Sequence, residues 1–255
     1  MMTYYSINFY DDTILDKREY FHFLRNTIGP FIQKIENENE AFKYFFVRYK
    51  DEIGPHLRIR MRSVSESYLA EIISGYPQIA VTEYEPEFER YGGKDVIFLS
   101  ESIFEASSRL TLALIEHSEN WSYENSLLFS VAFSAYLINL NAIQQVKPIL
   151  EDSILFWNEK TLQLDNSSLW EKLENNYHSN EKMITTSFVQ AVEIIKNMTN
   201  QNDLLFYQQL SHLKSHQVNT VIESLIHMSN NRFGVYNFDE VLTNYYLIKL
   251  VNNEQ

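Results

Sequence analysis

The sequence predicts an α+β fold, with an N-terminal β-α-β-β-α-β unit packed against a C-terminal helical half. Three observations lead there. Short aromatic or β-branched runs alternate with helical stretches through roughly the first ninety residues; positions 56–62 alternate strictly in polarity; and from about Ser100 apolar residues recur at three and four spacing with few Gly or Pro.

Tyr4 to Tyr10 reads as a strand. Leu15 to about Glu36 carries Phe21, Leu24, Ile28, Phe31, Ile32 and Ile35 at helical spacing, and Gly29-Pro30 predicts a kink within it. Phe42 to Lys50 and Leu57 to Arg62 form a hairpin around Asp-Glu-Ile-Gly-Pro, where Gly54 and Pro55 favour a turn and bar a helix. A helix near Ser65 to Ser74 ends at Gly75-Tyr76-Pro77, before a strand from Ile79 to Tyr84. This order suits a ferredoxin-like split βαβ unit, the basic face of the second hairpin strand turned away from the helices. Helices follow at 101–117, 123–144, 147–175, 183–198, 202–228 and 237–252, with polar turns at Asn175 to Lys182 and Thr199 to Asp203. Neither a repeat nor a flexible linker is visible. The whole chain, 1–255, is read as one domain, with a sheet unit over 1–95 and a helical half over 96–255.

With 255 residues, 45% hydrophobic and 15% aromatic, the chain can bury a sizeable core. Zero cysteines exclude disulfides, zinc thiolates and Cys nucleophiles, leaving His, Ser, Tyr, Lys and carboxylates for chemistry. A balance of 34 Asp and Glu against 21 Lys and Arg, net −13, argues against direct nucleic-acid binding. The first ten residues contain no basic region followed by an apolar run, so no secretory signal is read and the expected compartment is the cytoplasm. Residues 125–146 lack charge, but Asn125, Ser126, Ser130, Ser134, Asn139, Asn141, Gln144 and Gln145 interrupt them. A helix buried in protein, with Ser126, Ser130 and Ser134 as a polar stripe, is expected rather than a membrane span.

In His56-Leu57-Arg58-Ile59-Arg60-Met61-Arg62, strand alternation puts His56, Arg58, Arg60 and Arg62 on one face. Like charges at that spacing repel, so the arrangement persists where carboxylates, from the protein or from a ligand, complete it. A solvated face balanced by nearby Glu is the plainer reading. Among the histidines only His212 and His216 stand at ligand spacing, i and i+4, without an acidic third ligand nearby; no metal and no cofactor is expected.

The run Tyr44-Phe45-Phe46-Val47-Arg48-Tyr49-Lys50-Asp51, then Gly54-Pro55-His56-Leu57-Arg58-Ile59-Arg60, then Tyr84-Glu85-Pro86-Glu87-Phe88-Glu89-Arg90-Tyr91-Gly92-Gly93, and finally Ser224-Leu225-Ile226-His227-Met228-Ser229-Asn230-Asn231-Arg232, resembles the C-terminal elimination domain of class I lanthipeptide dehydratases. Thiopeptide-type bacteriocin biosynthesis proteins share that domain. The likeness spans essentially the whole chain, and the much larger glutamylation portion of a complete dehydratase is missing from it.

The resemblance implies a lyase that expels glutamate from glutamylated Ser or Thr of a ribosomally made precursor peptide, giving dehydroalanine or dehydrobutyrine. It implies as partners that peptide, leader and glutamylated core, and a separate tRNA-dependent glutamylating protein. Oligomeric state is left open, a homodimer included. Arg58 and Arg60 match the family's arginines that hold the glutamyl group, and Arg90 matches a third; forked guanidiniums suit bidentate carboxylate binding. These three are expected to converge on one pocket, with His227, which matches the family's catalytic histidine, facing it. Read alone, His227 between Ile226 and Met228 is a core histidine; the family block reverses that preference. Glu87 and Glu89 read as internal salt-bridge partners of the arginines, and Gly92-Gly93 as a tight backbone path near Arg90. Arg232 either caps a helix end or joins the anion site. His56 is either a second proton carrier or a structural hydrogen-bonding group. Two other functions fit the same domain: a thiopeptide pyridine synthase, joining two dehydroalanines by a formal four-plus-two cycloaddition with leader elimination, and a non-catalytic module binding the leader peptide by strand addition. Retention of all three arginines together with His227 favours elimination.

Overall fold

The structure, a computed structural model, describes residues 4–75, 79–94, 96–118, 120–140, 146–208 and 215–252. The chain divides into two compact units, one of Met1–Glu87 with Phe104–Ser122 and one of Phe88–Ile103 with Tyr123–Gln255. Its class is α+β.

The first unit runs β1 (Tyr5–Tyr10), a 3-10 turn (Asp12–Leu15), α1 (Glu19–Phe23), a π-helical turn (Leu24–Ile28), α2 (Gly29–Glu38), β2 (Lys43–Lys50), β3 (Pro55–Arg62), α3 (Glu66–Ile73) and β4 (Ile79–Glu83). The strands form one sheet in the order β2-β3-β1-β4, each pair antiparallel. The kink read at Gly29-Pro30 takes the form of the π turn. Pro30 has no N–H, and its ring crowds the carbonyl four residues back, so the ladder widens ahead of it and Gly29 N–H closes on Leu24 C=O instead.

Leu57, Ile59 and Met61 are fully buried against a core that includes Ile7 and Phe9 of β1, Phe46 of β2, and Leu24, Ile28, Phe31 and Ile35 of the helices. Each such side chain contributes about 1.5–3 kcal/mol by burial. A one-residue register slip would turn all three outward, at a cost comparable to a domain's whole stability. This is what commits His56, Arg58, Arg60 and Arg62 to the opposite face of the sheet.

α4 (Ile97–His117) contributes its start, to Ile103, to the second unit and its remainder, from Phe104, to the first. Within the first unit, Ser108 Oγ accepts a hydrogen bond from Phe46 N–H of the edge strand β2, at 3.1 Å.

The second unit continues with α5 (Tyr123–Leu140), α6 (Val146–Trp157), a π-helical turn (Asn158–Leu162), α7 (Asn166–Met198), α8 (Gln201–Gln208), α9 (Ser215–Arg232) and α10 (Asn237–Asn252). α5 packs on α7, α9 and α10, and α6 packs on α9 and α10. Ser126, Ser130 and Ser134 of α5 are all buried in protein. Among the described residues no helix is long and apolar enough to cross a membrane.

Helix boundaries differ from the sequence reading: the helix read at 202–228 is described as α8 and α9, the second running on to Arg232, and α8 begins at Gln201 inside the turn read at Thr199 to Asp203. The polar stretch Asn175 to Lys182 is not a turn but the middle of α7. Ser179 Oγ donates to Asn175 C=O, Asn180 Nδ2 donates to Asn176 C=O, and Leu173, Tyr177 and Ile184 are buried on the opposite stripe. The break comes earlier. Gln163 adopts a left-handed conformation, φ 53°, held by Asn158, which bonds both the N–H and the C=O of Leu164. Asp165 then caps α7 by accepting from Ser168 N–H at 3.0 Å, and its carboxyl is held well below the usual range by hydrogen bonds from Ser167 and Ser168.

Candidate active site

In the first unit, the outer face of β3 begins with a buried histidine. His56 donates Nδ1–H to Gly54 C=O at 3.0 Å, leaving Nε2 as an acceptor, and Arg58 donates its Nε–H to that atom, also at 3.0 Å. Burial pushes the His56 pKa down, and the charges of Arg58 and Arg60 push it further, against the opposing pull of the Gly54 bond and Asp51. The imidazole is therefore held neutral, as the bond from Arg58 requires. Arg58 also lies over the Tyr49 ring, its Cζ 3.5 Å from the centroid. Among the described residues no carboxylate pairs with Arg58, and its two terminal nitrogens remain as a fork. Arg60 lies one pleat along on the same face, with its Cζ 5.1 Å from the Tyr84 ring centroid and 5.6 Å from that of Phe45.

Arg62 is different. Its Nη2 sits 2.8 and 3.0 Å from the two oxygens of Glu105, a buried α4 carboxylate that also accepts from Tyr4 OH at 2.7 Å. Glu105, which the sequence reading did not single out, neutralises Arg62 at the far end of the strand, and Glu87 and Glu89 are exposed.

In the second unit, Gly92 and Gly93 have φ of +85° and +100°, and a Cβ on Gly92 would stand 3.1 Å from Val96 and 3.3 Å from Val221. The tight turn they permit closes with Gly93 N–H on Phe88 C=O at 2.6 Å. Arg90, within it, is half-buried and donates Nε–H to Ser224 Oγ of α9 at 3.2 Å. Ser224 and His227 are three residues apart and share a helix face, so Arg90 and His227 belong to one locality. His227 Nδ1 is 2.8 Å from Glu240 Oε1, and the Trp157 ring stacks on the imidazole, with centroids 5.1 Å apart and planes at 26°. Glu240, 1% exposed, accepts from Asn230 Nδ2 through its other oxygen at 3.1 Å, and Asn230 Oδ1 accepts from Ser130 Oγ of α5.

Arg232 is the last residue of α9. It is fully buried and donates Nη1–H to Met228 C=O at 2.9 Å, which caps the end of α9. The structure thus joins His56, Arg58 and Arg60 along one strand face in the first unit, and Arg90 and His227 through Ser224 in the second. His212 and the side chain of His216 lie outside the described residues. Among those described, no group of three or more His, Asp or Glu could hold a metal ion. Trp157 and Glu240 went unread in the sequence, and Ser224 was read within its block but given no role. Ser224, one helical turn before His227, carried the local signal.

Comparison with known proteins gives a consistent picture. The chain is 29% identical over 255 residues to the nisin biosynthesis protein NisB of Lactococcus lactis subsp. lactis, covering 89% of this chain and 24% of that protein. It is 22% identical over 232 residues to the epidermin biosynthesis protein EpiB of Staphylococcus epidermidis, covering 84% and 23%. The chain therefore spans about a quarter of the length of these curated relatives. Its fold is similar to that of the tRNA-dependent lantibiotic dehydratase MibB from Microbispora sp. 107891, with TM-score 0.62, 18% identity, and coverage of 99% of this chain and 28% of the other. It is equally similar to that of TsrL, with TM-score 0.62, 12% identity, and coverage of 100% and 95%. The model of the family described as lantibiotic biosynthesis dehydratase C-term matches residues 3–251, and the chain belongs to that family.

Proposed function

We propose that this chain is a lyase that eliminates glutamate from glutamylated Ser or Thr residues of a ribosomally made precursor peptide. The observation that carries the reading is the fork of Arg58, a guanidinium oriented by His56 and Tyr49 that no carboxylate pairs with among the described residues, in a chain of net charge −13. A cation so fixed calls for an anionic ligand, and a glutamyl group provides one.

The resemblance to the elimination domain implies the remaining roles. A base takes the α-proton of the esterified residue, the released electron pair forms the Cα=Cβ bond, and the Cβ–O bond breaks as glutamate leaves with its electrons as a carboxylate. His227 is the proposed base. Arg58, Arg60 and Arg90 bind the glutamyl group and stabilise negative charge as it develops. The element order and the strand order β2-β3-β1-β4 support the reading of the first unit as ferredoxin-like, and the proposed extent of the elimination-type domain is 1–255. The ester must be made beforehand, and a separate tRNA-dependent glutamylating protein is the proposed partner. Kinship with proteins of nisin and epidermin biosynthesis supports a peptide of the bacteriocin class as the substrate.

The test is mass spectrometry of three incubations with the chain alone: an unmodified Ser/Thr peptide, the same peptide carrying glutamyl esters, and an azole peptide carrying dehydroalanines. Release of glutamate and dehydration of the second alone is expected. Ring formation with leader loss from the third would replace this reading with the pyridine synthase, and leader binding without turnover would replace it with the binding module.

A further inference from the structure

We infer that Glu240 is a positioning residue that makes Nε2 of His227 the atom that accepts the proton. The inference rests on the proposed elimination only for what the proton comes from; the geometry stands apart from it.

A neutral imidazole carries one N–H and one lone pair, and what each nitrogen faces decides which is which. Here Nδ1 faces a carboxylate oxygen at 2.8 Å. A carboxylate accepts, so Nδ1 holds the proton and the lone pair falls on Nε2. Glu240 cannot turn away. It is 1% exposed, its second oxygen accepts from Asn230, and Asn230 is anchored in turn by Ser130 of the neighbouring helix α5. Trp157 lies flat against the imidazole and opposes its rotation. Nδ1 is turned to a buried partner and one ring face is covered, while the His227 side chain as a whole is 20% exposed. Arg90, held through Ser224 one turn earlier on the same face of α9, places a cation in that neighbourhood.

In the reaction, Nε2 takes the α-proton and the ring becomes an imidazolium donating from both nitrogens. Glu240 then faces a full positive charge that it did not face before, which favours the transition state over the ground state. Glutamate departs with the electron pair of the Cβ–O bond, and the proton on Nε2 returns to solvent.

Glu240→Gln tests the assignment. The amide can offer an N–H to Nδ1 and so admits the other tautomer. Nitrogen-15 NMR of the full chain at pH 8 is expected to find the proton of His227 on Nδ1 in the wild type and a shift toward Nε2–H in the variant, with Glu240→Asp restoring part of the Nδ1–H signal. With a synthetic peptide bearing one glutamyl-serine ester, kcat for glutamate release is expected to fall about 100-fold in the Gln variant at an unchanged KM, by analogy with other carboxylate-oriented histidines. Wild-type His227 carrying its proton on Nε2, or a Gln variant with full kcat, would overturn the proposal. If the Gln variant does not fold, the wild-type spectrum alone decides. An Nδ1–H tautomer in a chain that releases no glutamate would sink the elimination reading and leave the assignment of Glu240 standing.

Discussion

Arg58 donates its Nε–H to Nε2 of His56 across 3.0 Å, so the charge state of the histidine governs the orientation of the arginine. A protonated His56 would present a second N–H to the guanidinium and release it.

The pH dependence follows. Burial holds the folded-state pKa of His56 below the ordinary value of 6.5. As pH falls through 6.5, the unfolded chain therefore takes up this proton before the folded chain does, and stability declines until the folded-state value is passed. The melting temperature is expected to drop between pH 7.5 and pH 5.5, and His56→Gln, whose amide can serve both Gly54 and Arg58, should flatten that part of the curve. Calorimetry of both proteins across the range checks it; identical slopes would remove His56 as the cause.

Replacement of Arg58, Arg60 or Arg90 by Lys should leave the fold intact and stall the substrate as its glutamyl ester. A Lys keeps the charge but loses the planar fork, and with it the Nε–H that Arg58 gives to His56 and Arg90 gives to Ser224. Mass spectrometry distinguishes an accumulated ester from a dehydrated product. Complete dehydration by the Lys variants would end the argument from bidentate binding.

His227→Asn is a cleaner probe than His227→Ala. The Asn amide can still donate toward Glu240, whereas Ala leaves a carboxylate that is 1% exposed without that partner. The Asn variant is expected to melt close to wild type and to lose roughly two to four orders of magnitude in elimination rate. The Ala variant should lose the same activity and also melt lower. Equal melting of the two would show that Glu240 is satisfied without His227.

Arg62→Leu should do the reverse of the other arginine changes. Arg62 is already neutralised by Glu105, so glutamate release should persist while stability falls by about 1–3 kcal/mol, because a buried carboxylate loses a charged donor and keeps, among the described residues, the hydroxyl of Tyr4. Denaturant unfolding and the elimination assay, run side by side, separate the two effects.

The parts of this architecture that were legible in the sequence are those set by local period. Alternation in β3 separated its arginines from its core residues, the Ser126, Ser130 and Ser134 stripe identified a buried helix, and the Gly92-Gly93 pair indicated a backbone path that needs positive φ. What stayed hidden depends on packing between distant segments. Arg62 and Glu105 are 43 residues apart, and His227 and Glu240 are 13 apart across the join of two helices, so no spacing rule links them. The helix break at Gln163 went unread because no Gly or Pro marks it; side-chain bonds from Asn158 supply what glycine usually would. Conversely, Asn175 to Lys182 resembles a turn in composition, yet its polar groups bond back along the helix while Tyr177 keeps that segment on the core.

The bond from Phe46 N–H to Ser108 Oγ has a consequence for solubility. β2 is an edge strand, and edges with open donors recruit strands from other molecules. Phe46 lies at the middle of Lys43–Lys50, so its occupied donor interrupts the row where an incoming strand would otherwise find its central rung. A chain lacking that hydroxyl would leave the buried Phe46 N–H without this acceptor, at a cost of about 1–3 kcal/mol. Ser108 thus closes the middle of the sheet's edge from a helix.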